Sequence, residues 1–271
     1  MTTGFKLQDD EHLDAEGLPV CNNCGGRRAI VIPGVKTIPR MMCECQTEAL
    51  AMERYWKKRK EAYDEQMRAQ RYSPLRRNFK DASFETLIME GKDESFKIAV
   101  RRAIKYCQQA ETVLSKGYGI YLYSYTPGVG KTHIMNCMAS ELNKDLYSTL
   151  VISEGDILRA FKATFDGRET ERNVIDKITA VNFLFIDDIG TEAYNYGDQA
   201  KWIQQKMYDI VDRRYNSGLP TVFSSNYSLR ELVTKAGILA KTVDRINGMA
   251  TAVLKIEGES SRISDEEQAV F

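Results

Sequence analysis

Short apolar runs alternate with segments of helical period through most of this 271-residue chain. Gly119–Tyr123, Tyr147–Ile152, Val181–Ile186, Thr221–Ser224 and Ala252–Ile256 read as strands, short and rich in Ile, Val, Leu, Phe and Tyr. Between them, Thr132–Leu142, Glu154–Phe165, Ala200–Tyr215 and Gly237–Ile246 read as helices. In the third of these, Ile203, Met207, Ile210 and Val211 share one face. Ser228, with Glu231 three residues on, predicts a capping box for one further short helix. Strands alternating with helices predict an α/β fold, a parallel sheet covered on both faces. Upstream, Phe96–Ser115 predicts a single amphipathic helix. Met41–Tyr72 holds neither Gly nor Pro. Its Met52, Trp56, Tyr63 and Met67 form a narrow apolar stripe that Ser73-Pro74 ends. That stripe predicts packing on the neighbouring domain by default, with a partner as the alternative.

Two strand ends carry the chemistry. Thr126-Pro127-Gly128-Val129-Gly130-Lys131-Thr132 follows the first strand and opens a helix. Backbone N–H groups of such a loop converge on phosphate oxygens, and the helix N-terminus favours negative charge. Lys131 would bridge the β- and γ-phosphates of ATP, and the Thr132 hydroxyl would bind Mg2+. Tyr125 stands where this phosphate loop has its first glycine, which alters the mouth of the loop and spares the phosphate-binding half. The third strand ends in Asp187-Asp188, placing a carboxylate beside the loop as a second Mg2+ ligand. Asn226 ends the fourth strand. If that strand neighbours the acidic one, Asn226 reaches the γ-phosphate or the attacking water.

Cysteine usage divides the chain. Cys21-x-x-Cys24 and Cys43-x-Cys45 are two close pairs in a short polar segment, and Gly25-Gly26 makes a tight turn after the first. Together they have the make-up of a tetrahedral Zn2+ site, with His12 as a spare candidate ligand. Residues 1–50 hold too little apolar mass to fold alone, so metal would supply the missing stability. Cys107 and Cys137 sit at apolar positions of helices and read as core thiols. The expected organisation is a zinc-binding domain at 1–50, a linker helix at 51–78 and an ATPase core at 79–271.

Charge and length change the picture little. Net charge is zero, so nothing global argues for nucleic acid, although Glu53–Lys80 carries ten basic residues against four acidic ones. No apolar run is long enough to span a bilayer and Met1–Asp14 lacks an apolar signal segment, so a cytoplasmic protein without membrane contact is expected.

The segments Thr126–Thr132, Leu184-Phe185-Ile186-Asp187-Asp188-Ile189-Gly190, Phe223-Ser224-Ser225-Asn226-Tyr227-Ser228 and Asp244-Arg245-Ile246, joined to the cysteines, resemble the AAA+ helicase loaders of the DnaC/DnaI type. The likeness is greatest to the zinc-bearing forms of Gram-positive bacteria and their phages. It implies a weak ATPase that loads a hexameric replicative helicase onto single-stranded DNA and self-associates through its ATP sites. It also implies roles: Lys131 and Thr132 in Walker A, Asp187 in Walker B, and Asp188 in place of the water-activating Glu. Asn226 corresponds to sensor 1, Arg245 to the arginine finger acting on the next subunit, and Arg262 to a second sensor arginine acting in cis. Only 26 residues follow Arg245, so a core without the helical lid of AAA+ motors is expected. Asp188 is one methylene shorter than Glu, which predicts slow, DNA- or partner-regulated hydrolysis. Two other readings fit parts of the pattern: an IstB-like transposition helper ATPase, against which the cysteine head counts, and a non-catalytic phage protein that blocks host helicase loading.

Overall fold

The computed structural model describes residues 6–31, 39–72, 81–167, 169–192 and 197–260. The chain divides into two compact units, Met1–Glu61 and Ala62–Phe271.

In the first unit, strands β1 (Glu11–Leu13) and β2 (Pro19–Cys21) form an antiparallel hairpin, an element the sequence pattern is too short to predict. Helix α1 spans Glu44–Gln70 and so runs across the division between the units. It begins inside the segment expected to bind zinc, since Glu44 follows the third cysteine directly. Met52, Trp56, Tyr63 and Met67 are all exposed.

The second unit holds a five-stranded sheet, every pairing of which is parallel. Its strands are β3 (Gly119–Tyr123), β4 (Thr149–Ser153), β5 (Phe183–Ile189), β6 (Thr221–Ser225) and β7 (Ala250–Lys255), in the order β4-β5-β6-β3-β7. Side chains alternate across the sheet. Phe183 and Phe185 enter one core with Ile120, Leu122 and Val222, and Leu184 and Ile186 enter the other with Tyr121, Leu150, Ile152 and Phe223. Helices α2 (Glu94–Gln108), α3 (Ala110–Lys116) and α4 (Lys131–Lys144) cover the first face. Helices α5 (Glu154–Lys162), α6 (Glu171–Thr179), α7 (Gly197–Asn216), α8 (Leu229–Thr234) and α9 (Ala240–Met249) cover the second. Burying such side chains stabilises the layers by about 1.5–3 kcal/mol each, which explains the continuous apolar run of β5.

Three expectations need correction. The helix expected over Phe96–Ser115 is two helices, broken at Gln109, where φ is −105° and ψ 24°. Glu171–Thr179, assigned no element from the sequence, is helical, capped by the Thr170 hydroxyl and buried through Val174 and Ile178. The last helix starts at Ala240, not Gly237, whose φ of +81° lies outside the helical region.

Candidate functional site

Sheet order builds the first candidate site. The phosphate loop follows β3, the acids end β5, and β6 lies between those two strands. Asn226, just past β6, therefore falls between loop and acids, as its placement beside the acidic strand requires. Lys131 Nζ donates to Asn226 Oδ1 at 2.9 Å. Thr132 Oγ1 donates to Asp187, 2.9 Å from Oδ2 and 3.1 Å from Oδ1. Lys131 and Asp187 are both buried, so each charge is held where hydrogen bonds must compensate lost water. The loop needs its glycines: φ is +81° at Gly128 and +107° at Gly130. A Cβ on Gly130 would also stand 2.7 Å from Cε2 of the buried Phe96.

Tyr125 lies to one side of this arrangement. Its ring meets Tyr123 edge-on at 5.9 Å, and the Lys255 ammonium lies 5.5 Å from its centroid. The Glu231 carboxylate of α8 is held down at about 2 by the Lys235 ammonium above all, with Ser228. The predicted capping box of α8 is present in full.

Asp187 and Asp188 sit in a bulge. Ile186 is in register with Phe223 and Ile189 with Ser225, so two residues of β5 oppose Ser224 alone. Asp188 takes φ +56° there. Beyond it, the buried Glu154 carboxylate accepts from the backbone N–H groups of Gly190 (3.1 Å), Thr191 (3.0 Å) and Glu192 (3.1 Å). Sequence reasoning missed Glu154. The only signal is an acid following a strand-end Ser that caps the next helix. Arg245 is not brought into this cluster. Its Nε donates to Asp212 Oδ1 on α7 at 3.0 Å, and its guanidinium lies 4.7 Å over the Tyr215 ring. Arg262 lies outside the described residues.

The second candidate site is in the first unit. The sulfurs of Cys21, Cys24, Cys43 and Cys45 all lie within 4.8 Å of one another, with Cys43–Cys45 at 3.3 Å and Cys21–Cys45 at 3.6 Å. Four sulfurs about 2.3 Å from a shared zinc ion stand about 3.8 Å apart, so the set fits. A Cβ on Gly26 would meet Cys43 Cβ at 3.2 Å and Cys24 Sγ at 3.4 Å, which keeps that position small. The buried Arg28 donates to Cys21 Sγ (3.1 Å) and Cys43 Sγ (3.4 Å), and is itself held by Asp10 and Glu11. Burial opposes charge on Cys43, but Arg28 and the Gln46 N–H outweigh it and bring the thiol down to about 6. The backbone N–H of Cys24, with that of Asn23, lowers Cys21. The neighbouring sulfurs, Cys43 first, push Cys45 up to about 12. His12 is not part of this set; its Nδ1 meets Asn22 Oδ1 at 2.7 Å.

A parallel sheet in the order β4-β5-β6-β3-β7, with a phosphate loop after its second-to-last strand, an Asn just past the strand beside it and an acid on the strand beyond that, defines the AAA+ P-loop class. Residues 43–269 match the family described as IstB-like ATP binding protein, and the chain belongs to that family. It is 26% identical over 195 residues to the replicative helicase loader DnaC of Escherichia coli K12, covering 72% of this chain and 74% of that one. To the replicative helicase loader DnaI of Bacillus subtilis it is 29% identical over 158 residues, 54% of this chain and 48% of that protein. The crystal structure of DnaI superposes with a TM-score of 0.55 at 26% identity, over 69% of this chain and 94% of the solved one. No helix among the described residues is long and apolar enough to cross a membrane.

Proposed function

We propose that this chain is an ATP-dependent loader that places a hexameric replicative helicase on single-stranded DNA. One observation carries the reading: Lys131–Asn226 and Thr132–Asp187 pair the groups an ATP site needs, in a chain whose curated relatives are named helicase loaders.

The chain's own groups divide the work. Backbone N–H groups of Thr126–Thr132 and the N-terminus of α4 receive the phosphates. Lys131 exchanges Asn226 for the β- and γ-phosphate oxygens, which frees the Asn226 amide to orient the γ-phosphate or its water. Thr132 and Asp187 would hold Mg2+, which when bound would neutralise charge developing on the phosphate oxygens. Asp188 polarises the attacking water from one methylene too far back, so hydrolysis is slow and left to DNA or a partner to speed. Arg245 works on the ATP of a neighbouring copy, so it must leave Asp212 when copies assemble. Arg262 takes the cis sensor role. ATP is then an assembly signal, and hydrolysis releases the loader.

Cys21, Cys24, Cys43 and Cys45 would hold zinc, which would supply cross-linking to a unit with little apolar core. This zinc head, with the exposed face of α1, grips the helicase, as in the Gram-positive and phage form of the resemblance. The test is complex formation by the full-length protein with a DnaB-type hexamer in size-exclusion chromatography. Co-elution is expected for wild type, and its loss for Cys21→Ser/Cys24→Ser. Co-elution that survives removal of zinc refutes the assignment of the grip.

The family description favours one second reading, an IstB-like transposition helper. Binding to a transposase in place of the helicase in the same experiment would establish it.

A further inference from the structure

The bulge at Asp187–Asp188 leaves one hydroxyl with more to do than a strand residue needs. Ser224 is fully buried and faces both acids. Its Oγ–H donates to Asp187 Oδ1 at 2.5 Å, and the same oxygen accepts the Asp188 N–H at 3.0 Å. Two consequences follow. The Asp188 N–H, displaced from the regular ladder by the extra residue, regains a partner. The Asp187 carboxylate, already bonded by Thr132 through both oxygens, takes a second hydroxyl at Oδ1, which limits its rotation. A third tie completes the stitch: Ser225 Oγ donates to the Ile189 carbonyl at 2.6 Å, closing the far end of the bulge.

A carboxylate that serves a metal must be presented in one orientation. Asp187 has two hydroxyl neighbours, and they differ. Thr132 is itself a metal ligand in the ATP-site reading, so its bond to Asp187 changes when Mg2+ arrives. Ser224, on the neighbouring strand β6, is no metal ligand in that reading, so its bond to Asp187 need not change. From this geometry we infer that Ser224 is a positioning residue of the ATP site: its hydroxyl sets the Asp187 carboxylate for Mg2+ and holds Asp188 in its left-handed conformation. The inference rests on the ATP-site reading above.

The experiment titrates Mg2+ against full-length protein holding a fluorescent ATP analogue, with parallel binding in EDTA. Ser224→Ala removes the donor. Ser224→Cys is slightly larger and leaves no cavity, but its thiol is a weak donor, and this guards against a cavity effect. In both variants the Mg2+ concentration at half-saturation is expected to rise about tenfold, the value of one hydrogen bond to a charged group. Metal-free affinity is expected to stay at the wild-type level. In an Asp187→Asn background, Ser224→Ala is expected to raise the Mg2+ requirement far less than tenfold, since the charged ligand it positions is gone and only its bond to the Asp188 N–H is left to lose. An unchanged Mg2+ requirement overturns the inference. So does an equal loss of affinity with and without Mg2+, the mark of a merely structural hydroxyl. Wild-type protein that binds no nucleotide at all sinks the ATP-site reading, and this inference with it, and is distinguishable from both.

Discussion

Glu154→Gln isolates the hold that α5 has on the loop beyond the acidic strand. The carboxylate is fully buried, and its Oε2 accepts from Gly190, Thr191 and Glu192 at 3.0–3.1 Å, with Oε1 3.3 Å from the Gly190 nitrogen. Glutamine has the same shape. Its single oxygen can take the Oε2 position and keep three bonds, but each falls from charge-assisted to neutral. Its NH2 then faces the Gly190 N–H, donor against donor. Bonds to a charged group contribute about 1.5–3 kcal/mol and neutral ones about 1, so three weakened bonds cost about 3 kcal/mol. For a unit of this size, about 2–4 °C per kcal/mol gives a fall in melting temperature of about 6–12 °C. Differential scanning calorimetry at neutral pH measures it. Because Gly190–Glu192 stand one residue beyond Asp187–Asp188, the hydrolysis rate is expected to fall further than nucleotide affinity does. A melting temperature within about 2 °C of wild type would refute this account of the buried carboxylate.

Gly130→Ala forces a side chain into φ +107° and to 2.7 Å from Phe96, and is expected to abolish nucleotide binding in an equilibrium titration while the chain stays folded by circular dichroism. Arg214 is buried and donates to the carbonyls of Thr179, Val181 and Asn182, so Arg214→Met strands those oxygens and is expected to cost about 3–5 kcal/mol in urea unfolding. Lys235 and Ser228 hold Glu231 at about 2, below its ordinary 4.5, so its contribution is complete above pH 4.5 and is lost as pH falls through 2. A carbon-13 NMR titration should place its midpoint there, and Ser228→Ala should raise it.

Much of the core was legible because both of its periods are clean. β5 needs apolar residues on two faces, and so it reads as a continuous run ending abruptly in Asp187-Asp188. The phosphate loop was legible because only glycine meets its backbone demands. α6 was not, because three apolar side chains on nine residues give a weak period, and Thr170 looks like any loop threonine. The break at Gln109 was invisible because the apolar period continues through it, from Cys107 to Ala110 and Val113. Within the site, residue types announced Lys131, Thr132, Asp187 and Asn226. They did not announce Ser224 or Glu154. Those two act through a bulge and a loop that exist only once β5 and β6 are in register, and a lone Ser or Glu carries no trace of that. Arg28 escaped for the same reason: its contact with two cysteine sulfurs depends on a hairpin of three-residue strands.

Deposition of a DnaB-type hexamer on protein-coated single-stranded DNA, followed by strand unwinding, tests the central claim most directly. The wild-type chain with ATP should start unwinding, and Lys131→Ala, which removes the phosphate-binding ammonium, should not. Unwinding that proceeds equally with Lys131→Ala, or that the wild-type chain suppresses, would contradict an ATP-dependent loader; suppression would point instead to a protein that blocks loading.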